Sequence, residues 1–578
     1  RRRLCPLFTG RFCRMKPHIT TRAGNIEVQQ DLQAAGISPL LAQLYAARDI
    51  CSVAETSHDL AHLLHFRDLK HINAAAQQLA AAIDAGKRLL IIADYDADGA
   101  TACAVAMKGL GLFGAKVDFL VPNRFEHGYG LTPLIVDEAA ALGAELIITV
   151  DNGIASLAGV AHAQALGIEV LVTDHHLPAD TLPACTIVNP NQPDCGFGSK
   201  NLAGCGVMFY VLLALRAHYK LTGRYDTQAA PNLGVLLDYV ALGTVADVVK
   251  LDHNNRILVA QGLKRMRAGK AALGIQALFE IAKRDIRKAE PFDLGFAIGP
   301  RINAAGRLDD MSIGIRCLLA DNELTAQTLA AELDSLNRER RGIEQSMLKE
   351  ALNLPEFQVS DSQMTVTAYR DDWHQGVIGI VAGRLRERYF RPTIVFAPGD
   401  DGELRGSGRS IPALHLRDTL DLVSKRHPHL ISKFGGHAMA AGLSLPEAAL
   451  PEFQAAFEQA VNEQLHRDDL TQTYVTDGEL SGDALCLQAA QQLREVVWGQ
   501  GFAPPMFVGE FEVTWQRAVG VNHKKAGIRK TGSAEVEAMF FRCEEDLPER
   551  IRMVYRMVAN EWRGQYELQL HSEYWEAV

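Results

Sequence analysis

Short apolar runs at 88–93 (Arg-Leu-Leu-Ile-Ile-Ala), 117–121 (Val-Asp-Phe-Leu-Val), 146–150 (Leu-Ile-Ile-Thr-Val) and 169–173 (Glu-Val-Leu-Val-Thr) alternate with Ala-rich stretches such as 102–113 and 155–166. Strand and helix repeated in this order predict a parallel sheet with helices on both faces. Sheets of that kind bind ligands beyond the carboxyl ends of their strands, so functional residues are expected just after the apolar runs. Asp94-Tyr-Asp96-Ala-Asp98-Gly99 follows the first run, Asp151-Asn-Gly the third, and Asp174-His175-His176 the fourth. A further apolar run, Leu233–Leu242, leads to Asp247 and is expected to deliver it in the same way.

A single Asp in such a place is often a turn or helix-cap residue. Four groups at four expected places point instead to convergence, and so many acids would repel one another unless cations held them together. Asp94-x-Asp96-x-Asp98-Gly99 imitates the opening of an EF-hand loop, but Val105 stands where the bidentate Glu is required. Gly109-Leu-Gly111-Leu-Phe-Gly114 copies a dinucleotide-binding pattern by letter, yet it follows a helix rather than joining strand to helix. No Gly-x-x-x-x-Gly-Lys-Ser/Thr occurs, which removes a Walker-type ATPase. Mixed Asp/His ligation suits Mn2+ or Mg2+. Two such ions roughly 3.5–4 Å apart clamp the attacking and leaving oxygens of a phosphate ester. Phosphoester hydrolysis is therefore the reaction class these residues predict.

The chain has 578 residues, 48% hydrophobic and 22% charged, the profile of a globular protein and not of a disordered or collagen-like one. At about 150 residues per domain this suggests roughly four domains. No window approaches 18 uninterrupted apolar residues, so no membrane span is expected. The net charge of −10 argues against coating nucleic acid by bulk attraction, but it leaves room for a local basic groove. None of the ten cysteines forms a Cys-x-x-Cys pair; the evenly spaced Cys185, Cys195 and Cys205 have no histidine companion, and reduced thiols in a cytoplasmic protein are expected. Residues 1–26 carry seven Lys/Arg and no acid, which resembles a transit peptide, but there is no apolar core for a secretory signal. Met15 is a candidate start, with 1–14 expected to be an upstream translation artefact from which no function is drawn.

From Asp321 to Ala351, Leu329, Leu333, Leu336, Ile343 and Met347 recur at helical spacing and predict a long connecting helix, with Arg338, Arg340 and Arg341 near its middle. A second α/β unit is expected from about 361, with strands at 364–369 and 392–397. After the polar stretch 462–475, residues 501–578 hold 11 of the 40 aromatics. Phe511, Val513 and Trp515 alternate there with polar neighbours, as Tyr566, Leu568 and Leu570 do, which predicts an antiparallel barrel. The expected domains are an extension (1–40), the parallel-sheet domain (41–320), the connecting helix (321–355), a smaller α/β domain (356–461) and an OB-like barrel (462–578).

Between Arg384 and Phe434 ten Lys/Arg face six Asp/Glu, a net of +4. A solvated face is the common meaning of such charge. Here Arg405 and Arg409 flank Gly406 and Gly408, where missing side chains are expected to let a phosphate reach backbone N–H groups. Gly435-Gly436-His437 is expected to offer the same geometry. Ser407, Arg409, Gly436 and His437 are thus candidate phosphate contacts.

Asp94–Gly99 together with Asp174-His175-His176 resembles the DHH phosphoesterase superfamily. The resemblance extends, from about residue 40 to the end, to a family of bacterial single-strand-specific exonucleases. It rests on Val121-Pro-Asn-Arg-Phe-Glu126, Gly299-Pro-Arg-Ile-Asn-Ala-Ala-Gly-Arg-Leu-Asp-Asp310, Trp373-His-Gln-Gly-Val-Ile-Gly379, Gly406-Ser-Gly-Arg-Ser410 and Phe434-Gly-Gly-His-Ala-Met-Ala-Ala-Gly442. It implies an α/β fold: a DHH parallel-sheet domain, a connecting helix, a smaller DHH-associated α/β domain enclosing a groove with it, and a C-terminal OB-like β-barrel. It implies two metal ions held by Asp96, Asp98, Asp151, His175 and Asp247, with Asp151 bridging. Asp94 joins them at a position where several relatives carry another residue. His176 is implied to face the scissile phosphate, with Asp174 orienting a histidine from behind, and Arg124, Arg301, Asn303 and Arg307 are added to the substrate contacts. The implied function is 5′→3′ exonuclease action on single-stranded DNA, releasing mononucleotides in repair and recombination. A monomer is implied, working with single-strand-binding protein and a helicase. Two alternatives remain. One is a short-oligonucleotide phosphodiesterase or pyrophosphatase on the same metal core, whose representatives are shorter and lack the aromatic barrel. The other is a non-enzymatic scaffold, which would be expected to have lost metal ligands that are all present here.

Overall fold

The structure is a computed structural model and describes residues 16–123, 130–353, 360, 362–399 and 402–578. Arg124 and the segment 1–14 lie outside the described residues. Two compact units are present: residues 24–337 with 494–504, and residues 16–23, 338–493 and 505–578.

The first unit is built on five strands, β1 (Arg88–Ala93), β2 (Lys116–Leu120), β3 (Leu146–Val150), β4 (Glu169–Thr173) and β5 (Thr186–Val188). All pair in parallel, in the order β2-β1-β3-β4-β5. Every residue of β3, and all but the first of β1 and β4, is buried, as strands covered on both faces require. The order reverses between β1 and β3, and the crevice at their carboxyl ends is where doubly wound sheets take ligands. Helices α1 (Ala97–Leu112), α2 (Gly204–Leu221), α3 (Leu237–Ala246) and α4 (Gly299–Leu308) surround that end. The run ending at Leu242 is a correction: it forms a 3-10 turn and α3 rather than a strand, and Asp247 is the C-cap of a helix. An apolar run of ten residues buried all round has no period that tells helix from strand.

Residues 494–504 complete the core of this unit. Phe502 is 3% exposed and stacks on Trp498 at 5.1 Å and on Tyr45 at 6.3 Å. The Arg256 guanidinium lies 4.2 Å from the Phe502 ring and that of Arg48 5.1 Å from the Trp498 ring, while Arg48 Nε donates to the Ala503 carbonyl at 2.9 Å. Phe502→Ala should therefore destabilise the parallel-sheet unit by about 3–5 kcal/mol, read as a lower denaturation midpoint. A truncation near 465 strips this plug as well as the barrel, so a cut intended to remove the barrel alone must spare residues 494–504.

The second unit begins within helix α5 (Glu323–Asn353), which is continuous. Its sheet has five strands, β6 (Val366–Tyr369), β7 (Thr393–Pro398), β8 (Glu403–Arg409), β9 (Lys433–Gly436) and β10 (Ala440–Pro446), in the order β9-β10-β8-β7-β6. Helix α6 (Ile378–Tyr389) crosses between β6 and β7, the one parallel pair. A closed barrel follows, β11 (Phe507–Val519), β12 (His523–Arg529), β13 (Glu535–Phe540), β14 (Arg550–Trp562) and β15 (Gln565–Ala577), paired β11-β12-β13-β15-β14 and closed by β14 on β11. The expected alternation holds through Phe511 and fails at a bulge between Val513 and Trp515, which leaves Trp515 37% exposed. Residues His18–Thr21 pair in parallel with Thr473–Thr476. Among the described residues no helix is long and apolar enough to cross a membrane, and all eight described cysteines are free.

Candidate metal centre and anion pocket

The β1 end supplies three carboxylates on one tight turn. Asp96 is the N-cap of α1 and accepts from the Gly99 N–H at 3.0 Å; Asp98 lies in the first helical turn and is 1% exposed. Asp94 accepts from the Tyr95 N–H at 2.7 Å. From the neighbouring β3 end comes Asp151, 1% exposed and held at φ +62°. Left-handed backbone is uncommon outside Gly but is tolerated by Asp and Asn. His175 and His176 come from the β4 end and Asp247 from the α3 terminus.

These groups converge. His175 Nε2 is buried and makes no hydrogen bond, with Asp151 Oδ1 at 3.0 Å, Asp247 Oδ2 at 3.5 Å and Asp98 Oδ2 at 3.9 Å. Three sets of ligand atoms lie within 4.8 Å of one another: Asp98–His175–Asp247, Asp94–Asp96–Asp151 and Asp151–His175–His176. Asp151 belongs to two of them, as a bridging carboxylate would. Two carboxylates about 4 Å apart repel by roughly 4 kcal/mol at an effective dielectric of about 20. Burial, then Asp96, pushes the Asp94 carboxyl up to about 8. Burial, then the neighbouring carboxylates, raises Asp151 and Asp247 well above the usual range. Asp98 is raised by burial, with His175 opposing. Burial holds His175 below the ordinary imidazole value, in the neutral form that can ligate. A crowded oxygen-rich set with one orphaned imidazole nitrogen fits hard divalent cations.

Asp174 stands behind the histidines, as expected. Its Oδ1 accepts from the His175 and His176 N–H groups at 2.7 and 3.0 Å and lies 2.8 Å from His176 Nδ1; its Oδ2 accepts from the Ile154 N–H at 2.9 Å. Burial pushes Asp174 up, but His176 and these N–H groups outweigh it and hold the carboxyl below its usual value. An ionised carboxylate only accepts, so Nδ1 of His176 carries the proton. Burial opposes the charge on His176, yet Asp174, Asp94 and Asp96 raise it to about 9.

Asn303 accepts from the Ala97 N–H at 2.8 Å and so braces the turn between Asp96 and Asp98. Arg301 donates to Asp334 at 2.9 Å and to the Ala297 carbonyl at 2.6 Å; Arg307 lies in the last turn of α4. Sequence reasoning missed Asn189 and Asn191, whose carboxamides donate to the His176 and His175 carbonyls at 3.0 and 2.5 Å. They follow the three-residue strand β5, too short to register as an apolar run.

In the second unit Arg405, Ser407 and Arg409 point to one face of β8, with Gly406 and Gly408 on the other. The two glycines have a different role from the one expected. A Cβ at Gly406 would lie 2.5 Å from Phe396 Cε1, and one at Gly408 2.7 Å from Leu416 Cδ2, so they accommodate the apolar core rather than a phosphate. Arg409 donates to Ser407 Oγ at 3.2 Å, and both approach Gly379 near the start of α6, where a Cβ would lie 2.9 Å from Arg409 Nη2 and from Ser407 Oγ. Pairing of Arg409 with Ala440 brings the turn carrying the exposed His437 to the same edge. Gly436, at φ +139°, packs against Ala440 and Ala441. Arg386, seven residues from Gly379 on α6, was not singled out in the sequence; its Nε is buried without a hydrogen bond. Burial, then Arg386, lowers the Arg409 pKa, and no carboxylate contributes to that shift. Among the described residues no carboxylate pairs with Arg409, whose guanidinium beside Gly379 in the first turn of α6 is a candidate anion contact; Arg386 lies in the last turn of the same helix, 3.9 Å from Glu387.

A carboxylate–imidazole centre at the switch point of a parallel sheet, followed by an α/β domain and a barrel, defines a phosphoesterase of the DHH class. Residues 88–244 match the DHH family, N-terminal domain, 361–463 the DHHA1 domain and 476–574 the RecJ OB domain. Over 573 residues the chain is 48% identical to the single-stranded-DNA-specific exonuclease RecJ of Escherichia coli K12, covering 96% of this chain and 99% of that protein. The RecJ of Bacillus subtilis 168 is 33% identical over 554 residues, 92% of this chain and 67% of that one. The crystal structure of RecJ in complex with Mn2+ from Thermus thermophilus superposes with a TM-score of 0.81 at 28% identity, covering 97% of this chain and 79% of that one. The chain belongs to the RecJ family.

Proposed function

We propose that this protein is a 5′→3′ exonuclease specific for single-stranded DNA, hydrolysing phosphodiester bonds with two Mn2+ or Mg2+ ions and releasing mononucleotides. The observation that carries it is the sharing of Asp151 between two ligand sets in a chain that spans nearly the whole of a named single-stranded-DNA exonuclease. Asp96, Asp98, Asp151, His175 and Asp247, with Asp94, would hold the ions. Divalent ions at such a centre supply Lewis acidity and lower the pKa of a water nucleophile. His176, held at Nδ1 by Asp174, would face a phosphate oxygen and, where protonated, stabilise developing negative charge. Asn303 keeps the Asp96–Asp98 turn in register; Arg124, Arg301 and Arg307 are proposed to contact the strand. The closed barrel, with Trp515 at its surface, supports binding of single strands by base stacking. It also sets the chain apart from short-oligonucleotide phosphodiesterases. On family resemblance we further infer a cytoplasmic monomer acting in DNA repair and recombination alongside single-strand-binding protein and a helicase, with domain limits near 41–320, 321–355, 356–461 and 462–578.

Ser407, Arg409, Gly436 and His437 are assigned to a terminal 5′-phosphate. Digestion of 5′- and 3′-labelled single-stranded, duplex and RNA oligonucleotides with Mn2+ or Mg2+ tests substrate and polarity together. Loss of mononucleotides from the 3′ end first would overturn the assignment. A hydrogen bond to a charged group contributes about 1.5–3 kcal/mol, so Arg409→Ala should lower kcat/KM on 5′-phosphorylated strands roughly 10- to 150-fold. Mn2+ affinity should stay unchanged. Equal losses on phosphorylated and hydroxyl ends would refute the phosphate contact.

A further inference from the structure

Asp98 and Asp151 leave different strands, yet both press against one residue that is not itself a ligand. Gly204 is the first residue of α2. Its N–H donates to Asp98 Oδ2 at 2.5 Å, and the next N–H, of Cys205, donates to Asp98 Oδ1 at 3.0 Å. The opening N–H groups of a helix have no partner inside it, and the dipole there favours an anion. Both oxygens of Asp98 are thereby tied to the end of an 18-residue helix. A carboxylate has about four acceptor positions, so a cation can still be ligated on the remaining lone pairs.

The other side of Gly204 faces Asp151. A Cβ at 204 would lie 2.5 Å from Asp151 Cβ, 2.8 Å from its Oδ1 and 2.9 Å from its Cα. The last of these clashes is with the main chain, so no rotamer change of Asp151 relieves it, and Asp151 is already fixed at φ +62° between β3 and the crevice. Gly243, one turn before Asp247 on α3, is equally confined: a Cβ there would meet Asp98 Oδ1 at 2.8 Å. Asp98 thus has little room to move except along the direction its two N–H donors allow.

We infer that Gly204 is a positioning residue for the metal centre: its N–H, with that of Cys205, orients Asp98, and its lack of a side chain seats the shared ligand Asp151. The inference rests on the assignment of Asp98 and Asp151 as ligands. It makes metal affinity depend on a residue that touches neither metal nor DNA, and it couples the two ligand sets through one backbone position.

The test is a titration of metal-stripped full-length protein with Mn2+, followed by calorimetry. Loss of an interaction that orients a ligand costs about 10–100-fold in metal affinity, and Gly204→Ala should fall in that range. Gly206→Ala is the control on the same helix, because its Cβ meets only Leu202, with Cδ2 nearest at 3.3 Å. It should bind Mn2+ as the parent does. In EDTA Gly206→Ala should melt like the parent and Gly204→Ala at a lower temperature, because its Cβ meets the Asp151 main chain. Mn2+ affinity is therefore read well below that transition, where a purely structural role for Gly204 would leave binding parental. A folded Gly204→Ala protein with parental Mn2+ affinity overturns the inference. Asp98→Asn and Asp151→Asn separate the two levels: if they also bind normally, the ligand assignment has failed; if they lose Mn2+ while Gly204→Ala keeps it, only the positioning role has failed. Amide hydrogen exchange decides the case in which Gly204→Ala does not fold. In metal-free Asp98→Ala the amides of residues 204 and 205 should lose protection while the rest of α2 keeps it, and unchanged exchange at those two amides overturns the clamp.

Discussion

Asp151→Asn should abolish hydrolysis with either metal while leaving single-strand binding measurable. Removing one preorganised electrostatic contact at a transition state commonly costs about 10²–10³-fold in turnover, and a carboxylate shared between two ligand sets should cost at least that. Asn is the sharper replacement. It keeps nearly the same shape and tolerates the left-handed backbone at φ +62°, whereas Ala adds a backbone penalty of about 1–2 kcal/mol. Asp151→Ala should lose hydrolysis equally, since the missing charge is common to both. The variants should also lose the increase in melting temperature that Mn2+ gives the parent protein. Near-parental turnover in Asp151→Asn would refute the shared-ligand assignment outright.

The candidate site is legible in the sequence because a parallel sheet converts the end of each apolar run into a point in space. Asp94, Asp96, Asp98, Asp151, His175 and His176 stand out for that reason. Asp247 is legible as a residue but not as a helix terminus, since Leu233–Leu242 is apolar in every direction and carries neither period. β5 and the two asparagines after it escape because a three-residue strand between Pro183 and Pro190 makes no run. Arg405, Ser407 and Arg409 alternate along β8, and the same alternation turns Gly406 and Gly408 inward; counting charge without the period of two sends those glycines to the wrong face. Nothing local marks Trp498 and Phe502 as part of the core of the parallel-sheet unit, or His18–Thr21 as the partner of residues beyond 470. Such pairings are decided by shape complementarity over hundreds of residues. Gly204 lies in a stretch that reads only as the start of an apolar helix; what makes it matter is a distance to two carboxylates.

Stability without metal should fall as pH rises from 6 to 8, and Mn2+ should reverse the trend. Burial and mutual repulsion raise Asp94 to about 8, lift Asp151 and Asp247 well above the carboxylate range, and raise Asp98 against the opposing pull of His175. A group whose folded pKa lies above its unfolded value holds a proton that the unfolded chain has released. Its stabilisation is complete below the unfolded pKa, about 4 for an Asp, and disappears as pH climbs through the folded value. His176, raised to about 9, contributes in the same direction above the ordinary imidazole pKa. His175 is lowered and works the other way, but it loses stability only as pH falls below its unfolded value, about 6.5. Each net proton held by the folded state costs about 1.4 kcal/mol per pH unit, so one proton alone should remove on the order of 3 kcal/mol between pH 6 and 8. Divalent ions replace those protons, and metal binding that releases protons strengthens with pH. In EDTA the melting temperature should therefore drop over this interval at constant ionic strength, while the increment given by saturating Mn2+ should grow. A metal-free melting temperature that is flat or rises from pH 6 to 8 would mean that these carboxylates are not crowded in the folded protein, and the two-ion assignment would lose its electrostatic basis.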